Sequence, residues 1–144
     1  MRGETYGLEE AVNLEVNRRW KVRGSYSFLR LQLHHDATSL DTVSELGEGD
    51  NPEHQFQIHS YLNLWRNVNS DTALYRVSRL ASQQVPGYTR IDSRLGWHVR
   101  ENIELSAGVQ NLLDRRHAEF NGNDTLVFPS QVRRSVYGKM TFRF

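Results

Sequence analysis

Apolar and polar residues alternate along most of this chain, a pattern typical of strands whose two faces meet different surroundings. The clearest case is the segment 88–99, YTRIDSRLGWHV. A helix would distribute its charges around the whole circumference, so this segment predicts a β-strand. One face would carry Ile91, Leu95, Trp97 and Val99, and the other Arg90, Asp92, Arg94 and His98.

Six more segments repeat this period, which brings the predicted strands to seven. They cover residues 5–16, 20–30, 54–65, 72–80, 103–111 and 135–144. The last of them, SVYGKMTFRF, continues the alternation to the final residue, with Val136, Met140, Phe142 and Phe144 on one face. We therefore expect an all-β protein with antiparallel strands.

The connections between these strands alternate between short and long. The short ones read NRR, RNVNSD and REN, whereas the others are ASQQVPG and the stretches 34–53 and 113–131. Up-and-down membrane barrels have this asymmetry, with tight turns at one end and long loops at the other. Trp20, Trp65 and Trp97 lie beside the short turns, where such barrels carry an aromatic girdle.

The strand lengths and the overall composition fit the same architecture. Strands of about 9–11 residues tilted by about 45° cross a bilayer, and most of these segments reach that length. If the polar face lines an aqueous lumen, a membrane protein can contain only 38% hydrophobic residues. The sequence therefore predicts an antiparallel up-and-down transmembrane β-barrel segment of about seven strands, a partial barrel.

Charge and cysteine content exclude several classes of function. The net charge is +1, from 18 basic and 17 acidic residues that are interspersed, so we expect no nucleic-acid partner, which would require a basic stripe. The chain has no cysteine, which excludes disulfides and thiolate metal sites. Its first ten residues, MRGETYGLEE, contain no apolar segment of the kind found in secretion signals.

The candidate chemistry lies in the two longest connections. His34, His35 and Asp36 open the first, which also holds several carboxylates, but their spacing does not match an EF-hand, so we predict a solvated external loop and no metal. His117 and Glu119 lie in the second. No motif for a hydrolase nucleophile, a zinc helix or a phosphate loop accompanies them, so we predict neither an enzyme nor a cofactor.

Two stretches resemble the C-terminal end of TonB-dependent outer-membrane receptors. The first is ENIELSAGVQNLLDRRHAEF, in which Asn111, Leu112, Leu113 and Asp114 match the Asn-Leu-Leu/Phe-Asp element of the penultimate barrel strand. The second is VRRSVYGKMTFRF, which ends on the aromatic Phe144 as the last strand of that family does. GYTRIDSRLGW and YGLEEAVNLEVNRRWKVRGSYSFL are similar to earlier strands, so the resemblance extends over nearly the whole chain.

The resemblance implies a 22-stranded barrel of the outer membrane, with a plug domain inside it and a segment that contacts TonB. We expect residues 1–144 to be the C-terminal part of such a barrel, without plug, signal peptide or TonB box. The parent receptor would import a scarce solute, such as a ferric siderophore or a cobalamin-like molecule, with energy from TonB. TonB would then act only through the missing N-terminal part.

The resemblance also assigns roles to individual residues. Tyr137, Met140, Phe142 and Phe144 would form the signal that the barrel-assembly machinery reads, in a protein whose outer face contacts membrane lipid. Arg90, Asp92, Arg94 and Glu104 would line the lumen, although cross-strand charge pairing alone also accounts for them. His34, His35, Asp36, His117 and Glu119 would lie in loops that contact the solute.

Two other readings of the sequence stay open. One is a self-sufficient small outer-membrane barrel with a structural or adhesive role, which would need an even number of strands. The other is a soluble β-barrel that binds a small apolar ligand. Ile91, Leu95 and Trp97 separate these readings, because a soluble barrel would bury them and a membrane barrel would expose them.

Overall fold

The computed structural model describes residues 2–34, 44–121 and 128–144. The structure describes nine strands, of which seven form one antiparallel sheet in chain order and two form a separate hairpin. The seven strands of the sheet are β1 (Arg2–Asn17), β2 (Trp20–His34), β3 (His54–Trp65), β4 (Val68–Val77), β5 (Tyr88–Arg100), β6 (Ile103–Gln110) and β9 (Ser135–Phe142). The sequence prediction of an all-β, antiparallel, up-and-down partial barrel of seven strands is therefore confirmed.

Short and long connections lie at opposite ends of this sheet. Residues 18–19, 66–67 and 101–102 form the turns at one end, which we call the short-turn end. The other end, the long-loop end, carries a 3-10 helix (Ser44–Asp50), the loop 78–87 and a small hairpin. Within the described residues the sheet does not close, and β1 and β9 are its two edges.

The small hairpin differs from what the sequence predicted. The stretch 113–131 was expected to be a loop, but it contains β7 (Arg116–Phe120) paired with β8 (Ser130–Arg133). His117 and Glu119, predicted as loop residues, therefore lie on a strand. The alternation was too short to predict these strands, because β7 has 5 residues and β8 has 4.

The strand register sorts the side chains onto two faces, because directly opposite residues in a sheet project to the same side. Trp97 lies opposite Val68 and Leu105, and Leu105 lies opposite Met140. We call this side the apolar face. Arg94 lies opposite Asp71 on the other side, which we call the polar face.

The apolar face is open rather than packed into a core. Leu95 and Trp97 are each 51% exposed and Met140 is 57% exposed. In the described part of the chain, the buried hydrophobic residues are Leu80 and Val85, both in the loop 78–87. This exposure does not fit a soluble β-barrel, which would enclose one face of its strands.

Several hydroxyl groups on the apolar face are hydrogen-bonded to another side chain. The Thr72 and Ser93 hydroxyl oxygens lie 3.2 Å apart, and Trp20 Nε1 donates to Ser60 Oγ at 3.0 Å. Such pairing lowers the cost of placing a polar group in a medium without water. Among the described residues, no helix is long and apolar enough to cross a membrane.

Candidate functional site

Arg94 joins three strands on the polar face. Its Nη1 donates to Asp71 Oδ2 on β4 at 2.6 Å, and its Nη2 donates to Glu104 on β6. His98 Nε2 lies 3.6 Å from the second oxygen of Glu104. The Glu104 side chain is only 13% exposed. Because Arg94 lies between two carboxylates on either side of β5, it holds β4, β5 and β6 together through charge.

Gly96 provides the space that this arrangement needs. It lies between Arg94 and His98 on the polar side of β5. A Cβ atom at Gly96 would overlap Asn69 Oδ1 and would lie 3.1 Å from Arg94 Nη2. The Arg94 guanidinium also donates to Asn69 Oδ1 at 3.4 Å. A side chain at position 96 would therefore push the Asn69 amide away and crowd the Arg94 guanidinium.

A second ion pair lies nearer the long-loop end. Arg90 donates to Asp92 through two bonds, Nε to Oδ1 at 2.9 Å and Nη2 to Oδ2 at 2.6 Å. Arg90 Nη1 also lies 3.8 Å from Glu119 Oε1 on β7. Two parallel bonds between a guanidinium and a carboxylate fix both groups in orientation. The pair therefore connects the main sheet to the hairpin.

Asn111 turns the chain from the main sheet into the hairpin. It is completely buried and has a φ of 54°, a left-handed conformation that asparagine adopts more readily than most residues. Its backbone N–H donates to Asp92 Oδ1 at 3.0 Å, and its Nδ2 donates to the Val132 carbonyl oxygen at 3.2 Å. Arg134 Nε donates to the Asn111 carbonyl oxygen at 3.3 Å. The Asn-Leu-Leu-Asp element of the sequence is thus the corner that positions the hairpin.

Of the residues predicted to contact a solute, two lie on this hairpin. The His117 ring stacks on Tyr88 with centroids 4.1 Å apart, and its Nε2 lies 3.1 Å from Glu119 Oε1. His34 is the last residue of β2, at the long-loop end. His35 and Asp36 lie outside the described residues. The structure thus brings His117 and Glu119 together with Arg90 and does not place them beside His34.

A ladder of rings and arginines crosses the polar face, and the sequence pattern did not predict it. Arg23 lies over the Tyr61 ring at 5.7 Å, and Arg90 lies over the Tyr75 ring at the same distance. His59 connects them, with centroids 6.2 Å from Tyr61 and 5.6 Å from Tyr75. Tyr61 occupies a position where the alternation predicts a polar residue, and that exception was the available signal. Tyr75 gave no such signal, because it follows the alternation together with Ala73 and Val77.

A cavity of about 210 Å³ opens on the polar face beside this ladder. Tyr75, Asp92, Arg94 and Tyr137 are among its lining residues. The lining combines cations, carboxylates and phenol rings, so it can contact a ligand that has both charged and flat apolar parts. Within the described residues, no group of three or more histidine and carboxylate side chains could hold a metal ion.

The predicted assembly residues of the last strand lie on both faces of the sheet. Phe142 and Met140 lie opposite Ile103 and Leu105 on the apolar face. Tyr137 projects to the polar face, where its ring lies on Gly108. A Cβ atom at Gly108 would lie 2.6 Å from the Tyr137 ring. Phe144 follows the end of β9 and is exposed.

Comparisons with known proteins agree on a family and a fold. A family model described as "TonB dependent receptor-like, beta-barrel" matches residues 2–112. The ferric yersiniabactin uptake receptor FyuA from Yersinia pestis is similar over 99% of this chain, with 18% identity and a TM-score of 0.74. The copper transporter OprC is similar over 99%, with 18% identity and a TM-score of 0.70.

A third similar structure is that of the FpvAI–pyocin S2 complex, at 12% identity and a TM-score of 0.70 over 96% of this chain. At these identities the likeness shows the fold. The chain spans 24% of the length of FyuA and of OprC, and 19% of the matched chain in the pyocin complex. The seven-stranded sheet therefore corresponds to part of each of these barrels.

Proposed function

This chain belongs to the TonB-dependent receptor β-barrel family, and we propose that it forms the C-terminal wall of an outer-membrane receptor that imports a scarce solute with energy from TonB. The observation that carries the proposal is the open sheet with two unlike faces. One face exposes large apolar side chains, and the other holds the ion pairs of Arg90 and Arg94. A barrel wall between lipid and an aqueous lumen requires this division.

The dimensions of the apolar face support a position in the membrane. On β2, apolar residues and one glycine occupy this face from Trp20 to Phe28, and Arg30 follows. At about 3.4 Å per residue and a tilt of about 40°, this stretch spans roughly 21 Å along the membrane normal. An outer-membrane barrel has an apolar band about 25 Å tall. Trp20 and Phe28 would mark its two borders.

The polar face supports a role in solute passage. We assign Arg90, Asp92, Arg94 and Glu104 to the lumen wall, where their pairing also stabilises the sheet. The hairpin residues His117 and Glu119 would contact solute from the external side. FyuA is a ferric yersiniabactin uptake receptor and OprC is a copper transporter, so solutes that supply metal are our first candidates.

The proposed position in the membrane also suggests how the chain would meet the barrel-assembly machinery and TonB. Met140, Phe142 and Phe144 would present the assembly signal on the lipid side, with Tyr137 packed on the other side of the same strand. We assign the gate and the TonB contact to parts of a receptor beyond these 144 residues, because the chain spans 24% of FyuA.

The proposal is tested by deleting the gene that encodes this chain in cells that carry it. Uptake of radiolabelled ferric siderophores, copper complexes and cobalamin is then compared with that of the parent strain. We expect uptake of one solute to fall, to return with a plasmid-borne copy, and to stop in both strains when an uncoupler collapses the proton gradient. Unchanged uptake of all three solute classes would contradict the proposed import function.

A further inference from the structure

Four arginines meet at the base of the β7–β8 hairpin, and we call them the hairpin arginines: Arg115, Arg116, Arg133 and Arg134. Arg116 lies directly opposite Arg133 across the hairpin. The Arg134 backbone N–H donates to the Arg115 carbonyl oxygen at 3.0 Å, so these two residues are adjacent as well. Like charges directly opposite on paired strands destabilise the pair. The four positive charges therefore lower the stability of the hairpin when no anion is bound to them.

This charge is not neutralised within the described part of the chain. Neither Arg116 nor Arg133 is paired there with a carboxylate, whereas Arg90 and Arg94 on the neighbouring sheet are. Both hairpin side chains are exposed. A guanidinium left free in this way can donate two parallel bonds to a phosphoryl group. The pattern favours an anionic ligand.

A cavity of about 480 Å³ gives this charge a shaped surface. Arg116 and Arg76 line it together with Thr89, and Arg76 Nη1 donates to Thr89 Oγ1 at 3.0 Å. Asp114 and His117 are the other titratable side chains beside it, apart from Tyr88. The two arginines outnumber the one carboxylate, Asp114, so the cavity keeps a positive charge.

The cavity adjoins the border of the apolar face at the long-loop end of the sheet. Arg76 and Thr89 are an opposed pair on that side of the sheet. The next opposed pair on the same face, in the direction of the short-turn end, is Leu74 and Ile91. A ligand that fills both regions must therefore carry an anionic group on an apolar chain.

We propose that Arg76, Arg116 and Arg133 bind the phosphoryl headgroup of a membrane lipid, whose acyl chains lie along Leu74 and Ile91. This inference rests on the membrane position given under the proposed function. Basic pockets at a membrane border bind phosphorylated headgroups, and each arginine near the surface contributes on the order of 1 kcal/mol, which is about fivefold in affinity. A free phosphate would gain nothing from the apolar border, so a lipid is the favoured source.

The test measures lipid selectivity on the full chain refolded into phosphatidylcholine vesicles. Spin-labelled phosphatidic acid, phosphatidylcholine and stearic acid are compared by the fraction of each probe whose motion the protein restricts. We expect the protein to prefer phosphatidic acid over both other probes. The variant Arg116→Gln should lower this preference about fivefold. The control Arg23→Gln removes one positive charge from the polar face and should leave the preference unchanged.

The outcomes separate this inference from the proposed function. If no probe is restricted, the chain is not in the bilayer, and the membrane position itself is wrong. If all three probes are restricted equally, the chain is in the bilayer but has no headgroup site, and the inference alone is overturned. Equal preference for stearic and phosphatidic acid would overturn the phosphoryl assignment.

Discussion

At the scale of single residues, Arg94 links three strands on the polar face. Its two carboxylate partners come from different strands, so its loss would leave Asp71 and Glu104 close together without a cation. Breaking a partly buried pair by removing one partner costs more than the pair itself contributes, because the remaining charge stays desolvated. The Arg94 side chain is 29% exposed, and solvent screening reduces this cost.

We predict that Arg94→Met lowers the free energy of unfolding by about 1–2 kcal/mol. Urea unfolding of the chain in lipid vesicles, followed by tryptophan fluorescence, measures this change. The control Arg66→Met removes an exposed turn arginine and should change stability by less than about 0.5 kcal/mol. Equal losses for the two variants would show that the Arg94 cluster does not stabilise the sheet.

A second residue-scale prediction concerns the contact between Tyr137 and Gly108. In Gly108→Ala the new Cβ atom would meet the ring at 2.6 Å, so the ring must leave its position. We expect Gly108→Ala to lower the free energy of unfolding by about 1 kcal/mol. This loss should largely disappear in a Tyr137→Ala background, because residues in contact are energetically coupled. The same unfolding assay in a double-mutant cycle gives the coupling energy.

The matched control for that cycle is Gly138→Ala. Gly138 lies one residue from Tyr137 on β9, and a Cβ atom there would have no heavy atom within 4 Å. Gly138→Ala should not measurably change the free energy of unfolding, either with Tyr137 present or in the Tyr137→Ala background. A coupling energy near zero between positions 108 and 137 would contradict the packing described here.

At the scale of strands and turns, the alternation in the sequence is sufficient to predict the main sheet but not its register. The seven strands follow from the period of two, and their up-and-down arrangement follows from the alternation of short and long connections. The period does not show which carboxylate lies opposite Arg94, because the register of the strands depends on turn geometry that the sequence shows only in part. The start of β4 at Val68 was missed because Asn69 and Asp71 resemble turn residues but belong to the polar face.

The hairpin was not predicted, because its strands are too short for their period to be distinguished from a loop. Its anchor was nevertheless visible in the sequence as the Asn-Leu-Leu-Asp element. The residues of the candidate site were predicted in part, with Arg90, Asp92, Arg94 and Glu104 identified from their charge. The ladder of rings and arginines was missed, because Tyr61 appeared only as an exception to the alternation and Tyr75 followed it with Ala73 and Val77.

For this hairpin we predict that Asn111→Ala has a larger effect than Asn111→Gly. Both variants remove the bond to the Val132 carbonyl, but glycine keeps the left-handed backbone, which costs alanine about 1–2 kcal/mol more. Limited trypsin digestion in vesicles, followed at the arginines on either side of the hairpin, should be faster for Asn111→Ala.

Position 84 provides a control for that experiment. Gln84 also has a φ of 54°, but it lies in the loop 78–87, and Gln84→Ala keeps the same backbone requirement. We expect it to leave cleavage at the hairpin unchanged. If Asn111→Ala and Gln84→Ala are cleaved at equal rates, Asn111 does not anchor the hairpin.

At the scale of the whole molecule, the described residues form an open wall whose two edges are β1 and β9. Large side chains on the apolar face, such as Leu95, Trp97 and Met140, are exposed, and the buried hydrophobic residues among those described are Leu80 and Val85. The large exposed apolar area would be unfavourable in water. In the membrane position proposed above, hydrocarbon around that face would remove this cost, so the membrane would be part of what stabilises the fold.

This central claim is tested most directly by the accessibility of single spin labels on the two faces. The chain has no cysteine, so single-cysteine variants at Leu95, Met140, His98 and Lys139 can be labelled without further changes. In vesicles we predict that dissolved oxygen reaches the labels at 95 and 140 best, whereas a water-soluble nickel complex reaches those at 98 and 139. If the nickel complex reaches all four equally, or neither reagent reaches 95 and 140, the apolar face does not contact lipid.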